Sequence, residues 1–526
     1  MGNFLSADVV FKRHFGLNNI AYFGGRVLRM NFSERFETTE RFPRNSPLPF
    51  IPFLAGIRDI ILSMKGAKVH VPHILLLALL ILGLASCGSG QNLETTPDRS
   101  IRIITSTPRN TAAPTITPTP LVPVLDAEDL QGVEIEFWYV WDPTIPDVLD
   151  EIAGQFNQDN PEGIEVVSRR FSHPADFETA MQEAIANQTP PNVALAHPYE
   201  YNAWLENDVL VDLAPYLQNP GYGLTEEELA QFYPPMLARD RYGSERRGFP
   251  GLISARVLLY NQTWAQELGF NNPPTSAAGF TQQACTAHDA NGDRTGGWMI
   301  DTSPGSATAW LLAFTGGLES GSRYTFDSEA VVAAYTFLSE LRGAGCAWQP
   351  TDAYPDQAFV DRLGLFYPVS TREIGYVQQA FDLSESADQW TAIAYPNDLA
   401  ESRVSFYGTS YVILDSSIEE QIAAWLFIRA MTSTQNQLHL AETNLTLPLS
   451  REASAMLQEE QDLPRPWLDA LNLLDQAVTE PRFASWGVVR GVVQDALTEV
   501  MDERFDPGTI SLFLNQLNDL VAELHQ

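Results

Sequence analysis

The segment from residue 133 to residue 206 alternates between two hydrophobic periods, and this alternation is the strongest constraint on the fold. Each of three short apolar runs typical of strands is followed by apolar residues at helical spacing. The predicted strands are 133–140, 164–171 and 192–196, and the predicted helices are 145–156, 177–185 and 199–206. The order βαβαβα predicts a parallel sheet covered by helices.

A second α/β region follows this unit. A further strand is predicted at 256–260, and helices are predicted at 331–342, 418–431 and 487–502. The 396 residues from 131 to the end fit two lobes of about 200 residues better than one sheet. The predicted fold class is therefore α/β, with two lobes.

An apolar run at 71–85 precedes the predicted α/β region. As a helix it spans about 22 Å, which is too short for a bilayer core of about 30 Å. Lys65 and Lys68 stand before the run, and residues 84–87 after it read Leu-Ala-Ser-Cys. This order predicts a signal peptide over 64–86. The alternative is a short buried helix with an incidental cysteine.

Residues 84–87 resemble the lipobox of a bacterial lipoprotein, which implies cleavage before Cys87 and a lipid on its thiol. Because secretory signals stand at an N-terminus, Met64 is predicted to be the true start, with residues 1–63 as upstream translation. A real cytoplasmic extension is the alternative. Residues 87–130 comprise this cysteine and a segment rich in Thr and Pro, which predicts an extended tether.

The charge of the chain excludes several functions. The sequence holds 32 basic and 66 acidic residues, and its three lysines (Lys12, Lys65 and Lys68) all precede residue 70. An acidic body without lysine cannot supply a P-loop or Schiff-base lysine, and nucleic acid would repel it. No nucleic-acid partner and no cofactor is therefore expected.

Several segments resemble, in order, the bacterial extracellular solute-binding proteins of family 1, the sugar-type receptors of ABC importers. Asn192 departs from the aspartate usual in that family. The matching segments are 137–142, 156–166, 190–193, 210–215, 259–261, 273–275, 407–411, 424–428 and 446–448.

The resemblance implies a type II periplasmic-binding-protein fold, with parallel-type sheets flanked by helices and a ligand cleft between the lobes. It places residues 131–252 and 405–450 in the N-lobe, and residues 253–404 and 451–526 in the C-lobe. It also implies a monomer, anchored by lipid on the outer face of the cell membrane, that hands a small solute to ABC permease subunits.

Sugars need aromatic platforms with polar groups beside them. We expect the ligand to contact three of five aromatic residues, Trp141, Tyr199, Trp310, Tyr407 and Trp486. Core packing or helix capping is the alternative for each candidate. The full candidate set is Trp141, Asp142, His197, Tyr199, Glu200, Ser306, Trp310, Tyr367, Ser370, Tyr407 and Trp486.

Two further features concern stability and metals. Cys285 and Cys346 are the only cysteines besides Cys87, and export favours a disulfide between them, with two buried thiols as the alternative. Residues 289–295 place oxygens at alternate positions, as calcium loops do, but Ile300 stands where such a loop needs glutamate. A solvated turn is therefore preferred, and no metal site is expected.

Three functions compete at this stage. The first is a receptor that serves an ABC importer and binds a small solute, which is expected to be a carbohydrate; a polyamine is the rival ligand. The second is a secreted carbohydrate hydrolase that uses two carboxylates. The third is a receptor of the same fold that serves a sensor or adhesion system. The first is preferred, so the chain is expected not to be an enzyme.

Overall fold

A computed structural model describes residues 122–143, 146–292, 294–352, 354–399 and 401–525. The predicted extension, the signal peptide, Cys87 and the tether up to residue 121 lie outside these residues. The strands are β1 Glu134–Val140, β2 Glu165–Phe171, β3 Val193–Ala196, β4 Arg241–Tyr242, β5 Glu245–Arg246, β6 Phe249–Asn261, β7 Gly296–Met299, β8 Glu319–Ser320, β9 Arg323–Tyr324, β10 Ala347–Trp348, β11 Gly364–Ser370, β12 Trp390–Ile393, β13 Val404–Ile413 and β14 Ala477–Thr479.

The helices are α1 Ala127–Leu130, α2 Val148–Asp159, α3 Pro174–Ala186, α4 Pro198–Trp204, α5 Ala214–Leu217, α6 Glu226–Gln231, α7 Pro234–Arg239, α8 Gln262–Glu267, α9 Ala277–Asn291, α10 Pro304–Thr315, α11 Glu329–Gly343, α12 Asp356–Val360, α13 Ile374–Leu383, α14 Ile418–Met431, α15 Thr434–Asn444, α16 Arg451–Leu457, α17 Arg465–Leu471, α18 Trp486–Val500 and α19 Ile510–Leu524. None of them is both long and apolar enough to cross a bilayer.

The predicted βαβαβα unit is confirmed, with β1 lying parallel to both β2 and β3. Local polar groups fix the ends of its first helix. The Asp147 side chain accepts the backbone N–H of Asp150 at the start of α2. At the other end, the Asn160 side chain bonds to backbone groups of Phe156 and Ile164. These contacts satisfy helix-end groups and turn the chain into β2.

Two long strands join the lobes into one sheet. Its strand order is β10-β7-β11-β6-β13-β3-β1-β2, with β12 on β6 and β14 on β13. We call the part built on β1, β2 and β3 the N-lobe, and the part built on β7, β10, β11 and β12 the C-lobe. Strands β6 and β13 pair antiparallel and run through both. The predicted two-lobed α/β fold is confirmed, and its sheet is mixed because of these crossing strands.

The strand registers direct the carboxyl ends of both lobes toward the crossing. Ala196, the last residue of β3, lies opposite Ser410 of β13. Ser370, the last residue of β11, lies opposite Arg256 of β6, which also pairs with Ser405 of β13. The loops that follow these strands therefore meet near the middle of the crossing strands, where open α/β sheets bind ligands.

Helix α14 packs on the N-lobe face of the sheet. Its Trp425 is fully buried and meets the ring of Phe249 edge-on at 5.5 Å between centroids. The indole N–H donates to the carbonyl oxygen of Tyr222 at 3.0 Å, so no polar atom of this side chain is left unpaired. Burial of such a side chain contributes about 2–3 kcal/mol to stability.

The described body begins earlier than the sequence indicated. Residues 122–130 were assigned to the tether, but Leu130 is buried and Val122 and Leu125 pack against the main core. The Asn219 side chain donates to the carbonyl oxygen of Val122 at 2.7 Å, and the Tyr222 hydroxyl bonds to the backbone of Leu125. The packed chain therefore includes residues 122–130, and residue 122 is the first that the structure describes.

Helix α16 lies at the last of the expected lobe boundaries. Residues 451–457 were assigned to the C-lobe, yet helix α16 packs on α15, which itself packs on α2 of the N-lobe. The Tyr233 hydroxyl donates to the Ser454 hydroxyl at 2.9 Å. The return to the C-lobe comes later, because α17 is the element that packs on β12.

The structure contains the predicted disulfide between Cys285 and Cys346, with 4.6 Å between the two Cα atoms. It links α9 to the segment before β10 across β7. A Cβ on Gly297 of β7 would lie 1.9 Å from the carbonyl oxygen of Cys346, so only glycine fits there. Of the loop at 289–295, Asp289 and Asn291 lie in the last turn of α9, and Asp293 is outside the described residues. The predicted turn therefore does not extend back to Asp289 and Asn291, which are helical.

Candidate functional site

A cavity of about 1000 Å³ lies at the carboxyl edge of the C-lobe sheet. Three loops and one helix face surround it: the segment after β7, the segment after β10, the end of β11 and helix α13. Its lining comprises Arg256, Met299, Ile300, Asp301, Thr302, Ser303, Gln349, Pro350, Thr351, Asp352, Tyr354, Pro355, Asp356, Tyr367, Pro368, Glu373, Tyr376, Gln379, Ala380 and Leu383.

Two tyrosine rings give this cavity exposed aromatic surface. Tyr354, in the loop after β10, is 82% exposed, and Tyr376, on α13, is 61% exposed. Large apolar groups are normally covered, so exposed rings in a concave surface suggest contact with a ligand. Neither residue was among the candidates from the sequence.

The buried cation of the cavity is Arg256, on the crossing strand β6. Its Nη1 atom lies 3.5 Å from a carboxylate oxygen of Glu373 and 3.9 Å from one of Asp301. Burial by itself lowers the pKa of Arg256, but electrostatic interactions with Tyr407 and with the carboxylates of Glu373 and Asp301 outweigh this and raise it. Gly305 permits this position, because a Cβ there would lie 2.6 Å from Arg256 Nε.

Asp301 connects this cation to the start of α10. Its carboxylate accepts hydrogen bonds from the hydroxyls of Ser303 and Ser306 and from the backbone N–H of Ser303. Ser303 in turn caps α10. The predicted residue Ser306 is fully buried and holds Asp301 in place, so it acts behind the cavity surface.

Asp356 forms a second polar group on the far side of the lining. It accepts a 2.9 Å hydrogen bond from the hydroxyl of Tyr367, a predicted residue that does line the cavity. Burial raises the pKa of the Asp356 carboxyl, and the hydrogen bond from Tyr367 partly offsets this. Burial and the neighbouring Asp356 raise the pKa of Tyr367.

Four predicted residues lie together in a separate region where the lobes meet. His197, Tyr199 and Tyr407 line a cavity of about 10 Å³, room for about one water, and Glu200 follows them in α4. The rings of His197 and Tyr199 stack with 5.2 Å between centroids. This region is too small for a sugar as it stands. Ser370 lies beyond Tyr407, which donates to it.

Titration in this region is strongly perturbed. Burial, with the charges of Arg490 and Arg239, lowers the pKa of His197 to about 3, and its Nδ1 lies 3.0 Å from the carbonyl oxygen of Gly408. Burial raises the pKa of Glu200 to about 7 although the carboxylate accepts the backbone N–H of His197. The imidazole is therefore neutral at pH 7, with the proton assigned to Nδ1 by its carbonyl partner.

Three predicted tryptophans belong to the core. Trp310 is fully buried against the rings of Trp298, Phe280 and Tyr395. Trp486 is also fully buried, and its indole donates to Glu480. The reason is that each tryptophan stands in or beside an apolar helix face or strand that packs inward.

Trp141 is 4% exposed, and its indole donates to the carbonyl oxygen of Pro146. Asp142 follows it on the surface at the end of β1, and Asp147, rather than Asp142, caps α2. Within the described ranges, no group of three or more His, Cys, Asp or Glu side chains is arranged to hold a metal ion.

The family model for bacterial extracellular solute-binding proteins matches residues 151–464. Comparison with curated proteins finds no match.

Solved structures share the fold. The sugar-binding protein MalE from the phytopathogen Xanthomonas citri superposes with a TM-score of 0.65 at 17% identity, over 75% of this chain and 97% of its own. The cyclic alpha-maltosyl-1,6-maltose binding protein from Arthrobacter globiformis gives 0.63 at 16% identity, over 75% and 99%. UgpB from Mycobacterium tuberculosis, in complex with glycerophosphocholine, gives 0.58 at 17% identity, over 74% and 98%.

Proposed function

Because this chain belongs to the bacterial extracellular solute-binding proteins, we propose that it captures a carbohydrate in the cavity at Tyr354 and Tyr376 and delivers it to an ABC importer. The observation that carries the proposal is the pair of exposed tyrosine rings in a large cavity that is also lined by charged and amide side chains. Sugars present apolar C–H faces, which stack on such rings, and hydroxyls, which bond to charged and amide groups beside them.

The size of the cavity supports an oligosaccharide. A volume of about 1000 Å³ is at the upper end of the range for small-molecule sites, and a single hexose would fill only part of it. Gln349, Gln379 and Thr351 add neutral donors and acceptors to the lining. Two of the similar structures named above are described as sugar-binding proteins, which agrees with this ligand class.

Capture would involve the N-lobe. The loops after β1 and β3 lie on the same side of the crossing strands β6 and β13 as the cavity does, as the registers of β3 and β11 indicate. Bending of β6 and β13 would bring Asp142 and its neighbours toward the C-lobe cavity. This is closure of two lobes around a ligand, and it would bury the sugar without any covalent step, so the solute would leave unaltered.

The proposal also includes the cellular location of the protein. The apolar run at 71–85 and the sequence up to Cys87 support secretion and a lipid anchor, with the acidic body held as a monomer outside the membrane. A Cys87→Ser variant should lose metabolic labelling by a radioactive fatty acid and appear in the detergent-poor phase. Retention of the label in this variant would overturn the anchor.

The test of function is thermal unfolding of the full chain with a panel of mono- and oligosaccharides. A ligand that binds only the folded form adds about 2.7 kcal/mol of stability at 100 times its Kd. Chromatography of the recovered sugar should show that it is intact. If no sugar changes the melting temperature, the carbohydrate assignment is wrong; if the sugar is cleaved, the receptor assignment is wrong.

Variants assign the binding to the cavity. Tyr354→Ala and Tyr376→Ala should each weaken sugar binding about fivefold to tenfold, because an aromatic platform contributes about 1–1.5 kcal/mol. Leu512→Ala is a matched control, since Leu512 is 62% exposed and lies outside the cavity lining. Unchanged affinity in both tyrosine variants would place the sugar elsewhere.

A further inference from the structure

The charges around the large cavity are unbalanced. Its described lining contains four carboxylates, Asp301, Asp352, Asp356 and Glu373, but Arg256 is the one basic side chain among those residues. The formal charge of the lining is therefore −3 when all five groups are ionised. No lysine of the sequence lies after residue 68, so the body holds none that could move in.

The single cation is already engaged. Arg256 lies between Asp301 and Glu373, with its guanidinium 6.0 Å from the centre of the Tyr407 ring. Gly305 lets it lie against the start of α10, and that packing leaves it little freedom to reach into the cavity. The positive charge is thus offset where it stands and is not available to attract an anion.

The other two carboxylates have no basic partner among the residues that the structure describes. Among the described ion pairs none includes Asp352 or Asp356, and the latter accepts only the neutral hydroxyl of Tyr367. Asp352 is exposed and stands two residues before Tyr354. Asp352 and Tyr354 therefore share the loop before α12, and Asp356 is the first residue of that helix.

Carboxylates in a concave surface focus a negative potential on whatever enters it, which favours cations and disfavours anions. Exposed tyrosine rings add to this preference, because the faces of aromatic rings attract cationic groups. The negative charge and the exposed rings belong to the same lining, but they are independent observations.

We propose that the solute of this cavity is a sugar that carries a positive charge, such as an amino sugar or an oligosaccharide of amino sugars, and that anionic sugars are rejected. The inference rests on the proposed function, and it adds a charge class to the ligand. In the complex, the amine would lie near Asp352 and Asp356, with the sugar ring against Tyr354 or Tyr376.

The experiment is titration calorimetry of the full chain with matched disaccharides and their short oligomers. Oligomers of β-1,4-linked glucosamine carry the amine, cello-oligosaccharides have a hydroxyl in its place, and oligogalacturonate supplies the anionic case. We expect the amine form to bind about tenfold or more tighter than the neutral form, and its affinity to fall when salt is raised from 50 to 500 mM. The anionic form should give no measurable heat.

Variants test the two carboxylates. Asp352→Asn and Asp356→Asn keep the shape of the side chains and the acceptor for Tyr367. Each should weaken binding of the amine form up to about fivefold, and leave the neutral form within about twofold, since one partly exposed charge contact contributes up to about 1 kcal/mol. Asp462→Asn, an exposed carboxylate outside the lining, should change neither.

The possible outcomes distinguish this charge preference from the carbohydrate-receptor function on which it rests. Equal affinity for amine and neutral sugars, or binding of the anionic sugar, would overturn the charge preference and leave the carbohydrate receptor standing. Binding of spermidine with no response to any sugar would overturn the carbohydrate assignment. Loss of selectivity in Asp462→Asn would also count against the cavity carboxylates as its source.

Discussion

The hydroxyl of Tyr407 donates a 2.7 Å hydrogen bond to the hydroxyl of Ser370, and so joins the crossing strand β13 to the end of β11. Both residues had been expected to bind ligand. In this structure they connect the crossing strands to the C-lobe, next to the guanidinium of Arg256. Their contact fixes the geometry of the region from which both lobes diverge.

Removal of this bond should lower stability by a modest amount. In Tyr407→Phe the ring remains and the Ser370 hydroxyl loses its donor, so we expect the free energy of unfolding to fall by about 1 kcal/mol in urea denaturation. Tyr354→Phe is the control, because that hydroxyl is on an exposed side chain and its loss should matter by less than about 0.5 kcal/mol. If the two variants lower the free energy of unfolding equally, the structural role assigned to the Tyr407 hydroxyl is wrong.

A second connection between the lobes depends on Arg482, which follows β14. Its guanidinium donates to the carbonyl oxygens of Arg239 and Arg241, lies over the ring of Tyr242 and pairs with Glu319. Arg482→Ala should therefore lower the free energy of unfolding by about 1–2 kcal/mol.

The planar guanidinium is needed for this set of contacts, so Arg482→Lys should recover less than half of the loss. Arg504→Ala is the matched control: Arg504 is 89% exposed, and its pair with Asp502 should contribute little. Chemical denaturation of the three variants is the measurement. A full rescue by lysine would show that charge alone, without the planar contacts, accounts for the effect.

Acidification should destabilise the fold through His197. Its pKa is about 3 in the folded chain, below the ordinary value of 6.5, so the unfolded chain binds a proton that the folded chain does not. Stability is therefore lost as pH falls from about 6.5 toward 3. His197→Asn keeps a donor for the carbonyl of Gly408 and should flatten this slope, as measured by urea denaturation at pH 7 and pH 4.5. An unchanged slope would mean that the imidazole titrates normally.

Glu200 should have the opposite effect. Its pKa is about 7, above the ordinary 4.5, so the folded chain holds a proton that the unfolded chain releases, and stability is lost as pH rises from about 4.5 through 7. Glu200→Gln is neutral at every pH and keeps an acceptor for the backbone of His197. We expect this variant to be more stable than the parent by about 3 kcal/mol at pH 8 and by less than about 1 kcal/mol at pH 5.

Loss of the disulfide should have the largest effect on stability. On the entropic model, a bridge across a sequence separation of 61 residues contributes about 4 kcal/mol. Replacement of Cys285 and Cys346 together by serine should lower the melting temperature, and reduction of the parent should produce the same decrease. A reductant that leaves the melting temperature unchanged would contradict the bridge.

The fold could be predicted well because each element of the N-lobe contains its own signal. The spacing of apolar residues in α2, and the Asn160 turn that ends it, are local, and they determine the element without knowledge of the rest. The mixed pairing could not be predicted in this way, since the antiparallel direction of β6 and β13 depends on how the chain returns between lobes. Nor could the packing of residues 122–130, because it depends on Asn219 and Tyr222, almost a hundred residues away.

The site was harder to predict for a physical reason. Exposure of an aromatic ring depends on tertiary packing, so Trp141, Trp310 and Trp486 could not be distinguished from surface platforms by type alone, and all three are buried. Tyr354 lies in a short polar loop after β10, where little apolar sequence is available to cover a ring. That combination of an isolated aromatic residue with acidic neighbours in a polar segment is the signal that would have found it.

Strand β6 is 13 residues long and contributes backbone hydrogen bonds to both lobes. Neither lobe could therefore be expressed as a separate gene fragment without an unpaired sheet edge, and the two should melt together in one calorimetric transition. Any change in the angle between them must be absorbed by elastic deformation of a shared backbone ladder. Gly408, at the irregularity in β13, has φ 145° and lies too close to Leu252 to carry a side chain, so it marks the point where that ladder can bend.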